Sequence, residues 1–182
     1  GMAVIDLLII ADDFTGALDT GVQFAASGAD VRVVTDKNCA FSFGTRTGAS
    51  GRVLVLDAET RHLPAKEAYD IVFGIVKRAK EAGVSHIYKK TDSGLRGNIG
   101  AELAAALRAS GEKTLDFLPA FPQMGRLTKN GVHYIDGVPV AESVFGRDPF
   151  EPVTKSSVKE IIALQSDVPV RELTDGTFAE AS

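Results

Sequence analysis

The strongest constraint on this 182-residue chain is a regular alternation of short apolar runs with longer helical patterns. Residues 4–11, 31–35, 53–57 and 84–88 are apolar runs of strand length. Between them, apolar residues recur three and four apart, the spacing of one helix face. Residues 15–27 read as a helix with Leu18, Val22 and Ala25 on one face. Residues 64–82 give the clearest helix, with Ala68, Ile71, Val72, Ile75, Val76 and Ala79 in phase and Gly83 closing it. A third helix opens near Ile99 and carries Leu103 and Leu107. Buried strands separated by helices imply crossover connections and a largely parallel sheet. The expected fold is therefore α/β: a three-layer domain spanning residues 1–182, its largely parallel sheet flanked by helices.

The remainder has a different texture. Residues 36–51 are a Gly/Thr/Ser-rich connection anchored by Phe41 and Phe43. Residues 114–118 and 168–173 read as further strands. Residues 119–155 are rich in Pro, Gly and polar side chains; within them Asp136-Gly137 predicts a tight hairpin, making a small hairpin-containing region near 130–141. Ser157-x-x-Glu160 is a capping box that opens a short helix to Gln165.

Composition removes several functional classes. With 45% hydrophobic and 24% charged residues, the chain reads as an ordinary globular protein. A net charge of −4 argues against a general nucleic-acid surface. No apolar run reaches the roughly 20 residues that cross a bilayer, so no membrane partner is expected. Residues 4–11 are also too short for a signal peptide and run straight into Asp12-Asp13. Gly1 ahead of Met2 reads as an added residue, with Met2 as the natural start. Cys39 is the single cysteine, which excludes an internal disulfide and suggests a cytoplasmic protein.

The densest chemistry lies in residues 88–98. Lys89, Lys90, Thr91, Asp92, Ser93 and Arg96, with Gly94 and Gly97, sit where a strand passes into a helix. Such a turn points free backbone N–H groups, and the positive end of a helix dipole, at whatever lies above the strand. Three cations against one acid suggest a small anion, although a solvated loop with its lysines in water is the alternative. Asp12-Asp13 with Thr15-Gly16, and Asp57 with Glu59, Thr60 and Arg61, occupy equivalent strand ends. Open parallel sheets bind ligands beyond the carboxyl ends of their strands. Three polar clusters there point to a small-molecule site; the alternative is a set of caps and turns.

Known fingerprints narrow the choice. Neither the Gly-x-Gly-x-x-Gly dinucleotide pattern nor the Gly-x-x-x-x-Gly-Lys-Ser/Thr phosphate loop occurs. His62, His86 and His133 lack metal-ligand spacing. Asp12-Asp13-Phe14-Thr15 brushes against the Asp-x-Asp-x-Thr of aspartyl-nucleophile phosphatases, but adjacent acids diverge. No Gly-x-Ser-x-Gly elbow supports a serine hydrolase.

Five segments together resemble one family: Ala11-Asp-Asp-Phe-Thr-Gly-Ala-Leu-Asp19, Lys89-Lys-Thr-Asp-Ser-Gly-Leu-Arg-Gly-Asn98, Pro119-Ala-Phe-Pro-Gln-Met-Gly-Arg126, the run from Asn130 to Val140, and Glu142-Ser-Val-Phe-Gly-Arg-Asp-Pro-Phe150. The chain resembles the N-terminal region of the four-carbon acid sugar kinases, which include erythronate, threonate and 3-oxo-tetronate kinases. The resemblance implies ATP-dependent phosphotransfer to a hydroxyl of a four-carbon sugar acid. It also implies a division of labour in which this half holds the sugar acid and a C-terminal nucleotide-binding domain, absent from this chain, supplies the nucleotide site. ATP and Mg are accordingly expected only with that domain, and no cofactor or metal ligand is assigned here. One position departs from the family pattern, which has Thr where this chain has Gly94.

The implied ligand sets the candidate roles. A planar carboxylate calls for Arg96 and Arg61, with Lys90 and Lys89 as point charges. Sugar hydroxyls call for carboxylates, Asp12 and Asp92, with Thr91 and Ser93 as neighbouring hydroxyls. Asp12, then Asp92, is the candidate to orient the attacking hydroxyl, while Asp13 is expected to cap the first helix. Segments 119–126 and 146–149 are rigid loops suited to a cleft wall or to the face of a second domain, or else ordinary packing turns. Beyond a small anionic sugar acid and the missing half, an oligomer is compatible with the sequence. The competing readings are a stand-alone sugar-acid binding or sensory module and a phosphatase-like hydrolase.

Overall fold

The computed structural model describes residues 1–115, 126–150 and 152–171. In chain order the elements are β1 (Ala3–Val4), β2 (Leu7–Ala11), α1 (Phe14–Ala26), β3 (Asp30–Val34), β4 (Ser42–Phe43), β5 (Arg52–Asp57), α2 (Ala65–Glu81), β6 (His86–Lys90) and α3 (Ile99–Ser110). They continue with β7 (Arg126–Lys129), β8 (Val132–Ile135), β9 (Val138–Pro139), a 3-10 turn (Val140–Glu142) and α4 (Val158–Ala163). The central sheet runs β3-β5-β2-β6 with every pair parallel, as the alternation demanded. Its register places Ala11 opposite both Asp57 and Lys90. Three strands therefore end level with one another, and the residues that follow emerge side by side.

Alternation along the strands divides the core. Leu8, Ile10, Leu54 and Leu56 pack with Val72, Ile75, Val76 and Ala79 of α2 and Ala105 and Ala106 of α3. Ile9, Ala11, Val53 and Val55 face the other way, with Ala17 of α1. Helices thus cover both faces and the three-layer reading holds. The far side of α3 builds a third cluster, where Leu95, Ile99 and Leu103 meet Ile135, Val140, Val153, Val158, Ile161 and Ile162.

Several local expectations change. The run 4–11 is two strands, because Ile5 and Asp6 turn their N–H groups to the carbonyls of Phe41 and Arg52. That detour lets β1 pair antiparallel with β4. On α1 the packed residues are Ala17, Thr20 and Gly21, whereas Leu18 and Val22 are 42% and 68% exposed. The helix lies so close to the sheet that a Cβ on Gly21 would stand 2.7 Å from Val33 Cγ2. Small residues set that contact, and the larger apolar ones point outward. Residues 114–115 and 168–171 form no strand; the rest of both expected strands, and segment 119–125, lie outside the described residues.

The hairpin is present and extended by a strand. Asp136 and Gly137 both take positive φ, the left-handed geometry of a tight two-residue turn. Asn130 and Gly131 repeat it one strand earlier, giving the three-stranded antiparallel sheet β7-β8-β9. The capping box also holds at its first half, with Ser157 Oγ accepting from the Glu160 N–H at 3.3 Å.

Two helical glycines should respond oppositely to alanine. Within α3, a Cβ at Gly100 would fall 2.3 Å from the Ile162 carbonyl oxygen, at the contact with α4. Gly74 in α2 has open space around the same position. Denaturant unfolding should show Gly74→Ala stabilised by about 0.5–1 kcal/mol through helix propensity. Gly100→Ala should be destabilised by about 1–3 kcal/mol through overpacking.

Candidate functional site

The level strand ends deliver three loops to one place. After β5 the chain folds back over β2: the N–H groups of Thr60 and Arg61 donate to the Asp12 carbonyl at 3.0 and 3.2 Å. Asp57 Oδ1 accepts the Glu59 N–H, which holds Glu59 at a positive φ. This turn sets the Arg61 guanidinium above the strand ends. Its Nε and Nη2 each donate to Asp12 at 3.2 Å, Nη2 also reaches Asp92 at 3.1 Å, and Nη1 lies 3.0 Å from Asp13. Burial opposes the charge, but the hydrogen bonds of Asp12 and the charges of Asp12, Asp92 and Asp13 outweigh it, raising the Arg61 pKa above its ordinary value.

The three acids differ in what remains free. Asp13 caps α1, its Oδ1 accepting from the Gly16 N–H at 2.9 Å, which is the role expected of it. Its side chain is 27% exposed against 4% for Asp12, whose oxygens are both turned to Arg61. Asp92 is closed: Oδ2 accepts from the Arg96 N–H and Nε, and Oδ1 from Nη2 of Arg96 and Nη2 of Arg61. Burial alone would raise its pKa, yet the Arg96 hydrogen bond and the two arginine charges hold the carboxyl below the usual carboxylate range.

The loop 92–98 turns through Leu95 and Gly97, both at positive φ. A Cβ at Gly97 would meet Asp12 Oδ2 at 3.1 Å, so a glycine is needed there for two separate reasons. The turn leaves Arg96 bound edge-on to Asp92 with its guanidinium over the Phe145 ring, 4.7 Å from the centroid. The Nη1 edge of Arg96 has no partner among the described residues. Arg96 and Arg61 line a cavity of about 230 Å³ with Gly97, Ile99, Pro152 and Leu164.

Lys89 and Lys90 part company because neighbours on a strand face opposite ways. Lys89 is 1% exposed and reaches Glu102 on α3 at 3.1 Å, with a second bond to the Lys90 carbonyl. Glu102 also accepts from Thr60 Oγ1 at 2.8 Å, and burial is the main cause that pushes its pKa upward. Lys90 points toward the α1 side and donates to the Thr91 carbonyl. Burial lowers its pKa, against the pull of Asp92, Asp12 and Asp13. Thr91 Oγ1 is buried without a hydrogen-bond partner among the described residues. The Ser93 carbonyl accepts from His133 Nε2 at 2.5 Å, tying the loop to β8.

Asp12, Asp92, Arg61 and Arg96 are therefore assembled as a cluster, with Lys90 beside it. Lys89 lies beneath it, Thr91 is enclosed, and Ser93 contributes its backbone. Sequence reasoning missed Glu102, Asn98 and Phe145. An acid inside the apolar run of α3 was a readable signal for Glu102, since a buried carboxylate needs a cation. Asn98 had no such signal; its Nδ2 donates to the carbonyls of Thr60 and Leu63 and so joins α3 to the Arg61 loop.

The profile of a family described as a sugar-binding N-terminal domain matches residues 7–181. A D-threonate kinase from Salmonella typhimurium is 41% identical over 168 residues, which is 92% of this chain and 38% of the relative. A D-erythronate kinase from Heliobacterium modesticaldum is 30% identical over 180 residues, 96% of this chain and 40% of the relative. Among solved structures, a Bordetella bronchiseptica domain of unknown function, a domain-swapped dimer with bound citrate, superposes with a TM-score of 0.77 at 38% identity. That match covers 87% of this chain and 39% of the other. The chain thus spans about two fifths of the length of the relatives it matches. A family profile that matches nearly the whole chain, over a shared fold, shows that the chain belongs to the family of sugar-binding N-terminal domains.

Proposed function

We propose that this chain is the sugar-acid-binding half of an ATP-dependent kinase that phosphorylates a four-carbon acid sugar. The observation that carries the reading is the convergence of three strand ends on a cluster of acids and guanidiniums beside a small cavity. The ligand carboxylate meets the open edge of Arg96 and the N-terminal end of α3, where the dipole adds positive charge. The hydroxyls meet the carboxylates, and Asp13, which also pairs with Arg61, has the most exposed side chain of the three acids. Phosphoryl transfer needs chiefly positioning and charge stabilisation, with a carboxylate orienting the attacking hydroxyl. The Asp12–Asp13 pair fits that task, Asp12 fixing Arg61 and Asp13 reaching the hydroxyl. Lys90 adds a cation near the same acids.

The names of the relatives, which cover threonate, erythronate and 3-oxo-tetronate kinases, favour this ligand class. So does citrate, a small hydroxy-acid, in the Bordetella neighbour. Among the described residues no three His, Cys, Asp or Glu side chains are grouped to hold a metal ion. In this reading ATP and its magnesium belong to a C-terminal nucleotide-binding half outside this chain. A cytoplasmic location belongs to the same reading and rests on the lone, unpaired Cys39. No helix among the described residues is long and apolar enough to cross a membrane.

Calorimetry of the 182-residue chain against a panel of four-carbon sugar acids, and against ATP–Mg, tests the reading directly. Weak binding of a sugar acid without binding of ATP is expected; micromolar affinity for ATP would refute the division of labour.

The two arginines should fail differently. Arg61→Ala strands three carboxylates and should cost about 3–5 kcal/mol of folding stability. Arg96→Ala should act mainly on the ligand, with a loss on the order of 2–4 kcal/mol in sugar-acid affinity. Thermal unfolding beside calorimetry separates the two, and equal stability losses would place Arg96 in the scaffold.

In a two-domain form that carries out phosphotransfer, Asp13→Asn should lower kcat by roughly 10²–10⁴-fold, the span for one positioned acid–base group. It should lower the unfolding midpoint less than Asp12→Asn, because Asn caps a helix about as well as Asp and the Asp13 pair with Arg61 is the more exposed of the two. Asp12→Asn should lower the midpoint further by weakening its contacts to Arg61. Turnover that survives Asp13→Asn would return the orienting role to Asp12.

A further inference from the structure

The motif that includes Phe145 has no role in the ligand contacts above, yet its ring touches the site at two points. The guanidinium of Arg96 lies over its face at 4.7 Å, and a Cβ built on Gly94 would meet three ring atoms at 3.0 Å. Gly94 leaves open the space the ring fills. The backbone that carries the ring is also fixed. The Phe145 N–H donates to Ser143 Oγ at 3.2 Å, Ser143 Oγ donates to the Val140 carbonyl at 2.6 Å, and the Phe145 carbonyl accepts from Val153 N–H at 3.0 Å. The next residue, Gly146, is packed so tightly that a Cβ would fall 1.8 Å from the Ala141 carbonyl oxygen. From the loop side, His133 fixes the Ser93 carbonyl, one residue before Gly94.

We propose that Phe145 and Gly94 form a paired positioning device for Arg96: the ring, admitted by the missing side chain at 94, holds the guanidinium plane so that its open edge faces the cavity. Asp92 fixes the guanidinium within its own plane through two parallel hydrogen bonds. Phe145 supplies the restraint perpendicular to that plane, which a carboxylate cannot give. A planar cation held in both directions presents its remaining N–H groups at one angle, which suits bidentate recognition of a carboxylate. A side chain at 94 would push the ring away and free Arg96 to rotate, so the residue at 94 tunes which acid fits. The inference rests on the reading that Arg96 meets the ligand carboxylate.

The test is a set of affinities for the four-carbon sugar acid that the parent chain binds best, measured by NMR titration so that millimolar binding is still read. Phe145→Leu should weaken binding about threefold to thirtyfold, the range of a lost cation–π contact, while Phe145→Tyr, which keeps the ring, should stay within about twofold of the parent. Gly94→Ala should weaken binding like Phe145→Leu, and the double variant should be no worse than either. In an Arg96→Ala background, Phe145→Leu should cause no further loss, since its effect passes through Arg96. Parent-like affinity in Phe145→Leu overturns the device but leaves the carboxylate reading standing if Arg96→Ala binds poorly. Equal losses in the Leu and Tyr variants, or additive losses with Arg96→Ala, also overturn it by reducing Phe145 to general packing. Parent-like affinity in Arg96→Ala removes the carboxylate reading and the device with it.

Discussion

One buried guanidinium organises this molecule. Arg61 is shared by Asp12, Asp13 and Asp92, which arrive from two loops, after β2 and after β6, and would repel one another without it. Two unit charges 4 Å apart interact by roughly 4 kcal/mol near a protein surface, so gathering these acids requires a cation held among them. The backbone supplies that cation by folding the β5 loop onto the Asp12 carbonyl. Beneath it, Thr60, Glu102 and Lys89 form a second buried ion-paired layer that fixes the loop from the α3 side. Buried charges of this kind are tolerated only when paired and hydrogen-bonded, and they tie the site to completion of the sheet.

The charge balance of the assembled site differs from that of its most visible segment. Read alone, the 89–98 stretch is a basic island. In the folded chain, Arg61, Lys90 and Arg96 stand against Asp12, Asp13 and Asp92, three charges of each sign. On the proposed reading, a sugar acid would be selected less by net attraction than by which N–H edges and carboxylate oxygens remain open, and at what angle. Geometry of that sort separates ligands sharing a carboxylate but differing in hydroxyl arrangement. A simple positive patch would not.

What the sequence disclosed follows from the range of the interactions involved. Strand ends, the Asp13 cap, the Asp136-Gly137 turn and the Ser157 cap depend on residues within a few positions of one another, and local patterns carried them. The packed face of α1 was misread because periodicity tells which residues line up, not which stripe the sheet approaches; Ala17 and Gly21 won by being small. The break between β1 and β2 depends on Phe41 and Arg52, dozens of residues away. The commitment of Arg61 to internal acids was equally hidden, since it arises only from the register of β2, β5 and β6. The opposite fates of Lys89 and Lys90 were available from strand alternation, but only once β6 was known to continue through both, two residues beyond its apolar run.

Those two lysines give β6 something an apolar strand lacks. An all-valine strand can slide by two residues at little cost, because each side chain finds a similar neighbour. In β6 one ammonium must reach Glu102 on the α3 face while the next meets the acids on the α1 face. A one-residue slip would exchange the faces of both, and a two-residue slip would carry both past their partners. Consecutive like charges thus act as a two-sided key, admitting a single alignment of this edge strand and, through it, a single placement of the loop that bears Arg96.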